Sequence, residues 1–138
     1  MARIWEEFKL AADVREPTTA NASISPRGVI SLNAIAWEAL EKPEAVILLY
    51  DKLNRVIGLK PCHPRLDNAV PVRKKYRSKE DRVVIRAIAL CRYYEITPAA
   101  TLRFRNPTID RSGTMELDLR DACAIGRGRL KTEASDLL

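Results

Sequence analysis

Two stretches of this chain carry the same order of apolar residues 54 positions apart, and that recurrence constrains the fold more than any other feature. Val29 answers to Val83, Ile30 to Val84, Leu40 to Tyr94, Ala45 to Ala99, Leu48 to Leu102 and Tyr50 to Phe104. Only four of the 22 aligned positions are identical (Val29, Glu41, Ala45 and Leu48), so the likeness lies in hydrophobic pattern and element order. A repeat on this scale predicts two small related units sharing one core. The chain has 138 residues, enough to bury such a core without disulfide or metal staples.

The first copy reads as a strand starting at residues 22–25, a turn at Pro26-Arg27-Gly28 and a short strand at 29–32. Asn33 is placed to cap a helix over 34–40, which Lys42-Pro43 ends. A strongly apolar strand over 45–50 turns at 51–54 and returns over 55–59 as a hairpin. The second copy offers strands over 69–75 and 83–85, a helix over 87–94 and a strand over 100–105. A long turn over 106–113 then leads to an alternating strand over 114–119. The expected class is mainly β with short helices (α+β), as two β-β-α-β-β units. The divisions are an N-terminal arm over 1–19 that packs on the body, unit 1 over 20–61, a connector over 62–68, unit 2 over 69–119 and a polar, flexible tail over 120–138.

Several chemistries are disfavoured. His63 is the single histidine, which excludes a multi-histidine metal site. It adjoins Cys62, but neighbours in sequence rarely face one site, and no carboxylate flanks the pair. Cys62, Cys91 and Cys123 are odd in number and read as reduced thiols, with Cys91 in the core. Tyr94 matches Leu40 in the repeat and is expected in the core as well. There is no glycine-rich phosphate loop, Cys-x-x-Cys pair or carboxylate dyad. The chain has no apolar run of membrane-spanning length, and its first residues carry early acids without the apolar centre of a signal peptide. The expectation is a cytoplasmic protein that is not an enzyme, with no cofactor, no catalytic or metal-binding residue, no membrane contact and no small-molecule substrate.

Charge is distributed unevenly. Residues 1–69 hold nine basic and nine acidic side chains, whereas residues 70–138 hold fifteen and nine, so the net charge of +6 belongs to the second half. Much of the excess is concentrated in Arg73, Lys74, Lys75, Arg77, Lys79, Arg82 and Arg86. Such clustering suits a phosphate backbone. Arg103 and Arg105 either extend this basic surface or are ordinary solvent-side residues of their strand.

The segment Arg27-Gly28-Val29-Ile30-Ser31-Leu32-Asn33, its short helix ending at Leu40, and the closing Val56-Ile57-Gly58-Leu59-Lys60-Pro61 resemble the swapped-hairpin fold of AbrB-type transcription regulators. Glu80-Asp81-Arg82-Val83-Val84-Ile85 resembles the corresponding strand of a second unit, and two such units in one chain is the arrangement of MraZ-like proteins. The resemblance covers roughly residues 20–119. It implies a duplicated swapped-hairpin barrel that favours a homodimer and binds double-stranded DNA through arginines on the first strand and adjoining turn. Mapped onto this chain, the implied contacts are Arg73, Lys74, Lys75, Arg77, Lys79 and Arg82 of unit 2, with Arg27 of unit 1. The alternative is an interaction or assembly module that uses hairpin exchange and does not bind DNA.

Overall fold

In a computed structural model, the chain forms a single ten-stranded antiparallel sheet curled into a half-barrel, with two short helices. The structure describes residues 3–5, 19–75 and 82–125. The elements run β1 (Ala22–Ile24), β2 (Val29–Leu32), α1 (Ala34–Ala39), β3 (Ala45–Asp51), β4 (Val56–Cys62), β5 (Ala69–Lys74), β6 (Val83–Arg86), α2 (Ile88–Tyr93), β7 (Leu102–Phe104), β8 (Thr108–Ile109), β9 (Met115–Asp118) and β10 (Ala122–Ala124). In space the order is β10-β7-β1-β2-β6-β5-β3-β4-β9-β8.

The middle of the sheet is an antiparallel pair drawn from the two halves of the chain. Val29 lies opposite Arg86, Ile30 opposite Ile85, Ser31 opposite Val84 and Leu32 opposite Val83. Because side chains alternate faces along a strand, this register puts Ile30, Leu32, Val83 and Ile85 together on the concave side, all fully buried. Val29, Ser31, Val84 and Arg86 are left on the outer face. The strands flanking this pair cross between halves. From the first half, β3 pairs with β5 of the second; from the second half, β7 pairs with β1 of the first. The concave side is filled by Ile24, Val46, Ile57, Leu59, Phe104, Met115 and Leu117, with Ala36 and Leu40 of the α1 segment and Leu90 and Cys91 of α2 packed against the same cluster.

The two helices end alike, 54 residues apart. Lys42 N–H donates to the Trp37 carbonyl at 2.9 Å, and Ile96 N–H donates to the Cys91 carbonyl at 2.8 Å. Inside each of these loops, Glu41 N–H reaches Glu38 and Glu95 N–H reaches Arg92. Both glutamates stand in left-handed conformation, at φ 67° and 56°. This is the Schellman ending, which glycine normally supplies because it carries no Cβ. The helix starts differ. Asn33, 1% exposed, accepts at Oδ1 from Ala36 N–H and Asn21 N–H, both at 2.9 Å, and its Nδ2 donates to the Thr19 carbonyl at 2.8 Å. It therefore caps α1 and ties down the approach to β1. Ala87, at the matching position, has no side chain to do this.

Some expectations need correction. The tail was expected to begin at residue 120, yet Leu119–Asp121 form a 3-10 turn and β10 adds a strand beside β7. The sequence Ala122-Cys123-Ala124 carries no alternation; the open edge of β7 gives it strand geometry. The turn over 106–113 contains β8, whose two residues are likewise set by pairing with β9. Tyr94 is not buried as Leu40 is. It is 37% exposed and packs between Tyr50 and Tyr93, at centroid distances of 4.7 and 4.8 Å. Of the N-terminal arm, residues 3–5 are exposed rather than packed on the body, and Arg3 lies over the Trp5 ring. Phe8 and the segment from Gly126 lie outside the described residues.

Asn33→Ala removes a cap and strands two partner groups, so urea denaturation should show a loss of about 2–3 kcal/mol. Glu95→Gly relieves the left-handed backbone. It should raise the urea midpoint, with a gain of about 0.5–1 kcal/mol after allowing for the freer unfolded chain.

Candidate nucleic-acid interface

The outer face of the sheet divides by charge. The six strands β10, β7, β1, β2, β6 and β5 hold Arg103, Arg86, Arg73 and Lys74 and contain no acidic residue. The remaining strands carry Asp51, Glu116 and Asp118 against Lys60. Strand pairing puts Cys123, Arg103, Ser23, Ser31, Val84 and Arg73 in one row across the acid-free half. Four strand spacings separate Arg103 from Arg73, about 19 Å measured along the sheet. Arg86 shares the outer face, two residues beyond Val84 and about 7 Å along the strand. Between the arginines lie Ser23, Ser31 and Val84, all half-buried.

Among the described residues, ion pairs join Lys42 to Glu38, Arg105 to Asp121 and Arg120 to Asp118. Arg27, Arg73, Arg86, Arg92 and Arg103 are exposed and have no carboxylate within 4.0 Å among the described residues. Unpaired guanidiniums on a face without acids form a field that attracts phosphate.

The expected contact residues fall into two groups. Arg73 stands on the outer face of β5. Lys75 follows that strand and donates its N–H to the Arg82 carbonyl at 2.9 Å, so both lie at the β5–β6 hairpin end. Lys74 belongs to the opposite parity. Its ammonium sits 5.7 Å from the Trp37 ring, which Lys42 approaches to the same distance. Trp37 Nε1 donates to the Pro43 carbonyl at 3.1 Å, which fixes the ring. Arg77 and Lys79 lie outside the described residues. Arg27 is in the β1–β2 turn, beside the Arg86 end of the central pair, and so one strand length from Lys75 and Arg82.

The structure also brings in residues absent from the expected contact set. Arg86 was part of the basic cluster, but only the register shows that it shares a face with Arg73. Arg103 belongs to the outer row, whereas Arg105 pairs with Asp121 at 3.9 Å. Arg92 lies on the exposed side of α2, next to buried Cys91 in sequence. A helical reading of Leu90 and Cys91 as core would have put Arg92 outside, but not beside Arg27 and Arg86.

Two clefts flank the face. One, about 480 Å³, is lined by Arg27, Arg86 and Arg92 with Pro26, Ile88 and Cys91 among its walls. Burial pushes the Cys91 thiol above its ordinary value, so it stays protonated and weakly reactive. The other, about 500 Å³, lies on the acidic half and mixes Asp51, Asp110 and Glu116 with Lys60 and Arg120. Hydrogen bonds from the Asn54 side chain and backbone hold Asp51 below the usual carboxylate range. The Ser112 hydroxyl and the Thr114 and Ser112 amides do the same for Asp110. These carboxylates are occupied in turns, and no group of three metal-ligating side chains occurs among the described residues.

No family model, curated protein or solved structure matches this chain. Among the described residues no helix is long and apolar enough to cross a membrane.

Gly28 sets the position of Arg27. Its φ is +88°, and a Cβ there would lie 3.1 Å from the Ile88 Cα. Gly28→Ala should destabilise the fold by about 1–2 kcal/mol in urea titration through the left-handed strain alone, before the contact with α2 is counted.

Proposed function

We propose that this chain is a non-enzymatic DNA-binding protein of the duplicated swapped-hairpin type, acting as a transcription regulator. Phosphates of double-stranded DNA lie across the outer face of β7, β1, β2, β6 and β5. The observation that carries the reading is the set of six strands without an acidic residue, in which Arg73, Arg86 and Arg103 have no carboxylate within 4.0 Å among the described residues. A basic face with no internal counterions is what counterion release from DNA rewards. Arginine also suits phosphate recognition through its forked donors.

The duplicated fold is supported by two features, although the central pair does not repeat face for face: half-buried Val29 answers to buried Val83, and buried Leu32 to exposed Arg86. The helix endings repeat bond for bond. Strands β3 and β7 each pair with the opposite half, but only β3 keeps its hairpin, with β4: β7 lies between β1 and β10, and β9 between β4 and β8. The repeat is not carried equally by every strand: Ala45 opens β3, but its match Ala99 lies three residues before β7. The resemblance to AbrB-type regulators rests on the sequence motifs alone. In this reading unit 2 dominates the contact, through Arg73 and Arg86 with Lys75 and Arg82 at the hairpin end, and Arg27 is the contribution of unit 1. A homodimer presents two such faces to one duplex.

A gel-shift titration with random duplex at several salt concentrations tests the proposal. Wild type should lose affinity steeply as salt rises, and the triple variant Arg73→Gln, Arg86→Gln, Arg103→Gln should bind more weakly. Its log–log salt slope should be shallower by about 0.9 for each phosphate contact removed. Circular dichroism should show an unchanged fold. Binding that is insensitive to salt, or undiminished in the folded triple variant, would refute the proposal. An oligomer that binds no duplex would favour an assembly module instead.

A further inference from the structure

The cleft beside the β1–β2 turn collects three guanidiniums from three separate elements. Arg27 comes from the turn, Arg86 from the end of β6 and Arg92 from α2. Its lining includes no carboxylate, and none of the three arginines has an acidic partner within 4.0 Å among the described residues. Like charges gathered around one depression repel one another, and no described residue of the cleft lining supplies a counterion.

The arginines are carried on fixed backbone. Ala87 N–H donates to the Gly28 carbonyl at 2.8 Å, which fastens the turn to the start of α2. Gly28 is buried and in close approach to Ile88, so the turn lies directly against the helix. Cys91 of α2 and Ile96, just beyond the helix end, are both buried in the core and anchor this segment. Pro26, Ile88 and Ile96 supply apolar wall beside the charges.

We infer that this cleft binds a terminal phosphoryl group, the dianion of a phosphomonoester. A backbone phosphodiester offers one negative charge and two free oxygens. A terminal phosphoryl group offers about two charges and three acceptor oxygens, a better match to three guanidiniums. The volume, about 480 Å³, lies in the range of small-molecule sites, so a modest organic group fits along the apolar wall. The source is either a free phosphomonoester or the 5′-phosphate of a nucleic-acid strand. The inference goes beyond backbone contact on the outer face: the cleft shares Arg27 and Arg86 with that face, adds Arg92, and does not include Arg73 or Arg103.

Amide NMR titrations on the whole chain test it, using inorganic phosphate, adenosine 5′-monophosphate and adenosine at constant ionic strength. The two phosphates should give saturable shifts centred on Gly28, Arg92 and Ile96, and adenosine should give none. Arg27→Gln and Arg92→Gln should each weaken phosphate binding by about tenfold, the loss of one charge-assisted contact. Arg73→Gln should leave it intact, so failure of the duplex reading and failure of this one are distinguishable. A short oligonucleotide that shifts these amides only when 5′-phosphorylated supports the strand end as the source. Saturation by the monophosphate, with no difference between the two oligonucleotides, supports a free ligand. Shifts that do not saturate, that spread equally over Arg73 and Arg103, or that survive both cleft substitutions would overturn the inference.

Discussion

The pairing of β2 with β6 is the constraint from which the rest of the structure follows. It joins residues more than fifty positions apart, and its register decides which side of ten strands faces inward. A slip of β6 by one residue against β2 would turn Val83 and Ile85 outward and bring Val84 and Arg86 toward the core. The cost of burying a guanidinium and exposing two aliphatic side chains makes that alternative inaccessible. Once this pair is set, β1 and β5 dock on either side, and β7 and β3 close on them from the opposite halves. Neither half can fill its concave face alone, so the crossing of strands is a consequence of burial.

The same register creates the charge separation. Arginines at alternate positions of β6, β5 and β7 all emerge on the outer face because their neighbours Ile85, Val72 and Phe104 pack on the inner one. The strand carboxylates Asp51, Glu116 and Asp118 fall on β3 and β9, and Asp51, Asp118 and the turn residue Asp110 accept local hydrogen bonds. A half-sheet that is positive without compensation results from hydrophobic patterning and strand order acting together. Charge alone would favour mixing the two signs.

Elements governed by local chemistry were legible in the sequence. The cap at Asn33, the apolar run of β3, the hairpin into β4 and the alternation of β9 each rest on contacts within a few residues. The edge strands β8 and β10 were not legible, since two or three residues carry no period and take their shape from a neighbour. Tyr94 misled because pattern matching treats an aromatic like an aliphatic residue. At its position the ring finds Tyr50 and Tyr93 at the surface instead of the core. The basic cluster over 73–86 was visible as composition. Its split into an outer-face part, a hairpin-end part and a lysine stacked on Trp37 depends on strand parity and on the partner across the sheet.

By itself, the sequence determined the mainly β class with two short helices and the location of the net charge in the second half. Those properties follow from local propensity, periodicity and counting. Only the tertiary structure decided that the two halves interleave in one sheet, that Arg73, Arg86 and Arg103 share a face, and that Arg27 and Arg92 meet across a cleft. Such neighbours are fixed by long-range register. Register is chosen by the burial of side chains that lie far apart in the chain, and local sequence does not encode that choice.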